Sequence, residues 1–237
     1  MKLLSKIFSN ARKPEGFWGR MIVAGMNGGS HAAMASWGLD LGDIPADGEI
    51  LDIGCGGGAN LKRLMQRSQK AKVTGVDYSP VSVEKSRSVN ADAIASGRCK
   101  VLEASVESLP FEDNTFDIIT AFETVYFWPN IEKSFGEVKR VLKPGGIFLI
   151  GTESNGSDNI PMRISEKLID MTVYNDEELT RFLTNNDYSE ITVYLRDAKN
   201  KEEIVKTNGE VKRIPDDYDN ISFTDKFVEW MTVVAKK

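Results

Sequence analysis

The chain is poor in the residues from which several classes of protein are built. Cys55 and Cys99 are its only cysteines, too few for a disulfide framework or a cysteine-rich zinc site, so both are expected as reduced thiols in a cytoplasm. His31 is the only histidine, and any imidazole chemistry must use it. Positive charge is not in excess: the formal net charge of −5 argues against a broad phosphate-binding surface and against nucleic acid as a partner. No apolar run approaches the roughly 20 residues that span a bilayer, and Lys6 interrupts the apolar start "MKLLSKIFSN" where a signal peptide would continue. The expectation is a chain neither secreted nor membrane-spanning. In "MKLLSKIFSNARK", Leu3, Leu4, Ile7 and Phe8 alternate with Lys2, Lys6, Arg12 and Lys13, which leaves room for a peripheral membrane contact beside the plainer alternative of a docking helix or frayed terminus.

What remains is ordinary globular composition, 41% hydrophobic and 27% charged over 237 residues, enough for one α/β domain with elaborations. From Glu49 to about Thr152, strand-like runs ("EILDIG", "KVTGVD", "CKVLEA", "FDIITAF", "GIFLIGT") alternate with amphipathic stretches such as "IEKSFGEVKRVL". In the latter, Ile131, Phe135, Val138 and Leu142 recur at helical spacing. Strand–helix alternation predicts a doubly wound, Rossmann-like parallel sheet. Residues 1–45 mix glycines, aromatics and methionines and are expected to form a helical cap. Beyond 152, a helix ("NDEELTRFLTNN"), a strand ("EITVYL") and a closing strand ("VEWMTVVAKK") are expected, with Asn208-Gly209 marking a hairpin inside a surface insertion over 196–226.

The chemistry concentrates in "ILDIGCGGGANL", where four glycines fall within five positions after an apolar run. Such a turn brings main chain close to a ligand, and the helix behind it presents unpaired N–H groups. The pattern also satisfies a dinucleotide fingerprint through Gly54, Gly56 and Ala59. Asp77 ends the second strand, where a carboxylate can accept both hydroxyls of a ribose. An adenosine-containing ligand follows, either NAD or S-adenosylmethionine.

Four segments in order, "LDIGCGGG", "VDYSP", "SLPFEDNTFD" and "EVKRVLKPGG", resemble the class I S-adenosylmethionine-dependent methyltransferases, in particular the small-molecule group that includes quinone-biosynthesis enzymes. The likeness is strong over about 47–152 and looser beyond. It implies a methyltransferase domain over 46–237, a seven-stranded sheet with its last strand antiparallel beside "EITVYL", and S-adenosylmethionine as cofactor. By residue, it places Gly54, Cys55 and Gly56 against the donor's methionine moiety, Asp52 near its amino group, Asp77 on the ribose and Tyr78 on adenine. Ser105 and Val106 would flank the adenine edge, where relatives often carry Asp in place of Ser105, and Phe122 would lie beside the methionine end.

Methyl transfer is a direct displacement at a sulfonium-activated carbon, so alignment and water exclusion are what a protein must supply. A hydroxyl or ammonium acceptor also needs a base. His31, Glu123 and Tyr126 are the candidates, with Glu153 and Tyr174 behind them. "ETVYFWPN" follows the fourth strand, where its rings could clasp an acceptor or simply pack on the core. Its "FETV" lacks the Asn/Asp-Pro-Pro-aromatic stretch that amino-methylating DNA enzymes of this fold resemble one another in, and neither cysteine is placed as a cytosine-C5 nucleophile. A small-molecule acceptor is expected; a donor-binding protein without transfer activity is the alternative, ahead of an NAD enzyme. Oligomeric state stays open.

Overall fold

The computed structural model describes residues 30–154, 171–197, 202–215 and 229–237. Five strands make a parallel core. Strands β1 (Glu49–Ile53), β2 (Lys72–Asp77), β3 (Cys99–Glu103), β4 (Phe116–Phe122) and β5 (Leu142–Thr152) pair in the order β3-β2-β1-β4-β5, all in parallel. The near-continuous burial of β1, β2 and β4 explains why they read as apolar runs rather than alternations.

Helices cover both faces. On one lie α1 (Ser30–Leu41), α2 (Ala59–Arg67), α3 (Pro80–Val89) and the short α4 (Ala91–Ala95); on the other, α5 (Ile131–Val141) and α6 (Asp176–Asn185). The spacing that predicted α5 buries Ile131, Phe135 and Val138, and Asn130 caps it by accepting from Lys133 N. α6 begins with a capping box between Asn175 and Glu178.

Two strands from the distal part of the chain complete the sheet: β9 (Trp230–Lys236) lies between β5 and β6 (Ser189–Asp197), antiparallel to both. The expected seven strands become nine, a correction with a simple cause. Within the expected surface insertion, the Asn208-Gly209 hairpin pairs its arms, β7 (Glu202–Thr207) and the exposed β8 (Glu210–Pro215), onto the β6 edge. Asn208 (φ 51) and Gly209 (φ 83) both take the left-handed conformation that a tight two-residue hairpin turn requires.

Most of the expected N-terminal cap, including the stretch considered for a peripheral membrane contact, lies outside the described residues. The part described, α1, is packed on the sheet: Met34, Ala35 and Leu39 are buried with Phe122, Leu149 and Trp230. Burying side chains such as Met34 and Leu39 contributes roughly 1.5–3 kcal/mol each, and Arg67 ties α1 to α2 through Asp40 at 2.7 Å. From Ser30 to Leu41 this segment is a helix lying on the sheet, with Gly38 allowing Phe122 and Thr232 to approach. Among the described residues no helix is long and apolar enough to cross a membrane.

Candidate active site

A cleft of about 200 Å³ opens at the carboxyl ends of β1, β2, β3 and β4, where ligands of open α/β sheets bind. The glycine turn after β1 forms its floor. Gly54 (φ 74) has no space for a side chain, because a Cβ there would fall 2.2 Å from Thr124 Oγ1. Gly56 (φ 50) faces the open cleft, where a Cβ would meet nothing within 4 Å. The turn is tied to β2 by the Gly54 and Cys55 N–H groups donating to Val76 O at 2.8 and 3.0 Å.

Asp77 stands at the end of β2, buried yet lining the cleft. Its two carboxylate oxygens accept from Gly56 N and Ser79 N, each at 2.9 Å. Burial raises its pKa while those two N–H groups oppose the rise. Tyr78, Ser105 and Val106 line the same wall. The "SLPFEDNTFD" stretch below them is held by Arg140, whose guanidinium donates to Leu109 O, Phe111 O, Asp113 and Glu137. Two of the motifs that carried the family resemblance thus meet in one clamp.

Asp52 lies behind the turn rather than in the cleft wall. Its Oδ1 accepts the Thr120 hydroxyl at 2.7 Å, whereas Oδ2 is buried with no hydrogen-bond partner. Burial pushes its pKa up to about 7. An orphaned, buried carboxylate oxygen beside a glycine turn fits a cationic ligand group, such as an amino acid's ammonium, better than it fits an empty fold.

Two expected donor contacts lie elsewhere. Cys55 turns its thiol into the core, against Gly75 and 3.8 Å from Ser86 Oγ, and burial raises its pKa far above the usual thiol range. Phe122 is on the wrong side of the strand: alternation along β4 sends Ile118, Thr120 and Phe122 to the α1 face, where its ring packs on Gly38 and Gly151.

At the ends of β4 and β5 the candidate proton-transfer groups do meet. His31 Nδ1 stands 3.1 Å from Glu153 Oε2 and 3.9 Å from Glu123 Oε2. Glu123 Oε1 accepts the Tyr126 hydroxyl at 3.0 Å and the Glu153 backbone N–H. Glu123 holds a left-handed backbone (φ 58), a conformation that costs energy in a residue with a side chain and persists where the surroundings enforce it. Burial and the neighbouring Glu153 raise the Glu123 pKa to about 7, and Glu153 raises that of His31. Of this group Glu123 lines the cleft; Tyr126 is buried behind it. Tyr174 rests edge-on against Phe182, away from the cluster.

The sequence reading did not single out Ser82, Glu107, Thr124 or Pro129, which also line the cleft. Thr124 accepts from Trp128 Nε1 at 3.1 Å, and Trp128 both lines the cleft and stacks on Phe148 in the core. The aromatic run thus packs the core through a ring that also borders the cleft.

Residues 51–150 match the family described as a methyltransferase domain. Over 100 residues, 42% of this chain and 29% of the relative, the sequence is 40% identical to a sterol 4-C-methyltransferase of Caenorhabditis elegans. It is 31% identical over 133 residues, 56% of this chain and 47% of the relative, to a dimethylglycine N-methyltransferase of Parasynechococcus marenigrum. The matched stretch spans less than half the length of either relative. Among solved structures, the geranyl diphosphate C-methyltransferase of Streptomyces coelicolor, in complex with magnesium, geranyl diphosphate and S-adenosylhomocysteine, superposes with a TM-score of 0.66 at 16% identity, covering 86% of this chain and 78% of that one. An Aquifex aeolicus S-adenosylmethionine-dependent methyltransferase gives 0.64 at 18% identity, covering 91% and 97%. Residues 51–150 are thus similar to methyltransferase domains, and the glycine turn after β1 and the carboxylate closing β2 stand in a fold shared with S-adenosylmethionine-dependent methyltransferases.

Proposed function

We propose that the chain transfers a methyl group from S-adenosylmethionine to a small-molecule acceptor by direct displacement. The observation that carries this is the cleft itself, where the glycine turn, Asp77, Tyr78, Ser105 and Val106 share one wall and Glu123 stands on the other. Asp77 would accept the ribose hydroxyls with the lone pairs left free by Gly56 and Ser79. Tyr78 would cover the adenine, Ser105 and Val106 its edge. Gly54, Gly56 and the Cys55 main chain would border the methionine part, with Asp52 Oδ2 answering its ammonium. Phe122 acts in this proposal only as packing beneath the floor.

The bound donor supplies an electrophilic methyl group; the chain supplies alignment and a dry wall. Glu123, His31 and Tyr126 form the acceptor end, in which Tyr126 orients Glu123. The domain so proposed runs from 46 to 237, with the preceding residues as a helical cap and a cytoplasmic setting that suits two reduced thiols.

Calorimetry with S-adenosylhomocysteine and NAD, followed by incubation of the chain with labelled S-adenosylmethionine and fractionated small metabolites, tests the proposal. Binding of the homocysteine compound alone and a labelled small product are expected. Saturable NAD binding without S-adenosylhomocysteine binding would overturn it, and donor binding with no product from any fraction would favour a binding protein without transfer activity.

A further inference from the structure

We infer that His31, Glu123 and Glu153 form a site for a divalent transition-metal ion at the acceptor end of the cleft. One nitrogen and two carboxylates offer ligand atoms that all lie within 4.8 Å of one another. Metal–ligand bonds of about 2.0–2.2 Å place neighbouring ligand atoms about 3.0–3.5 Å apart. The 3.1 Å between His31 Nδ1 and Glu153 Oε2 already has that value, and the 3.9 Å to Glu123 Oε2 needs only a small closure.

The carboxylates beside His31 are directed as metal ligands are. His31 Nδ1 pairs with Glu153 Oε2 at 3.1 Å, while Glu153 Oε1 is buried without a partner. That orphaned carboxylate oxygen carries a desolvation cost that a cation shared with His31 and Glu123 would remove. Glu123 is oriented as ligating carboxylates are: Tyr126 and the Glu153 N–H both bond Oε1, leaving Oε2 turned toward His31.

An imidazole among carboxylates favours manganese, iron or zinc over magnesium or calcium, whose ligands are oxygens. Three protein ligands leave coordination positions open. Because Glu123 also lines the cleft, an ion here borders the space beyond the donor and can hold an acceptor through an oxygen or nitrogen lone pair. That last role rests on the methyltransferase proposal; binding of the ion does not.

The test uses the full chain, stripped with EDTA and titrated with Zn2+ and Mn2+, with Mg2+ as comparison and S-adenosylhomocysteine titrated separately. One Zn2+ or Mn2+ per chain is expected, weakened by at least about tenfold in both Glu153→Gln and His31→Ala, while S-adenosylhomocysteine affinity in those variants stays at the parent value and reports an intact fold. No saturable Zn2+ or Mn2+ binding, unchanged affinity in both variants, or Mg2+ binding as tight as Zn2+ would overturn the inference. Metal binding without S-adenosylhomocysteine binding would leave it standing and remove the methyltransferase proposal instead.

Discussion

Thr120 donates its hydroxyl to Asp52 at 2.7 Å and satisfies only one of that carboxylate's two buried oxygens. The group faces Asp77 from the end of β2 and Arg63 from α2. With a folded pKa of about 7 against 3.8 in the open chain, the folded state holds the extra proton between those values. Stability from this group is therefore greatest at low pH, falls as pH rises toward 7, and is flat above it. Denaturant titrations of the ligand-free chain across that window should show the decline, and Asp52→Asn should reduce it, leaving the parts due to Asp77 and Glu123, whose pKa values are raised in the same direction. S-adenosylhomocysteine, which brings an ammonium, should bind more tightly as pH rises through about 7; a pH-independent affinity would place that ammonium elsewhere.

Asp77→Ala removes the two acceptors proposed for the ribose. Losing two hydrogen bonds to a charged group costs about 2–4 kcal/mol of S-adenosylhomocysteine affinity, allowing for non-additivity. Unchanged affinity by calorimetry would mean that the ribose lies away from the end of β2.

The two glycines at the floor should fail in different ways. In Gly54→Ala the new methyl collides with Thr124 and the left-handed backbone adds strain, so stability should drop by about 2–4 kcal/mol. Gly56→Ala meets only open cleft; it should cost about 1–2 kcal/mol of stability but obstruct the donor. Thermal melts and calorimetry on both variants check this, and equal loss of stability in the two would contradict the geometry.

Arg140→Lys keeps the charge but not the fork that reaches Leu109 O, Phe111 O, Asp113 and Glu137 together. The side chain is about one-third exposed, so its ion pairs are partly screened, and the expected loss is about 1–2 kcal/mol, chiefly from the two abandoned carbonyls. Hydrogen exchange at residues 105–115 should quicken; an unchanged rate would show that the clamp is not what holds this wall.

Much of the site was legible because it is local. The glycine turn, Asp77 and the Ser105–Val106 wall each sit where a strand ends, and strand ends are readable from apolar runs and turn residues. Phe122 was misplaced because an almost wholly apolar strand carries no alternation to say which face a ring takes. The nine-stranded sheet escaped for a related reason: Asn208-Gly209 announces a hairpin but not what its arms pair with. Glu153 was only a secondary candidate, since nothing near it in the chain points to His31. The two meet only after β5 lines up beside β4 and α1 folds onto that face.

The position of β9 has a consequence for assembly. As the chain is synthesised, β5, then β6 and the β7–β8 hairpin, all emerge before the strand that must lie between β5 and β6. Until it arrives, β5 has an unpaired outer edge of N–H and C=O groups, and the hairpin extends a sheet to which it is not yet joined. Closing that gap requires a long loop to form before any contact rewards it, so insertion of Trp230–Lys236 should be a late and slow event. Crowded nascent chains are then most prone to edge-to-edge association in the interval before it.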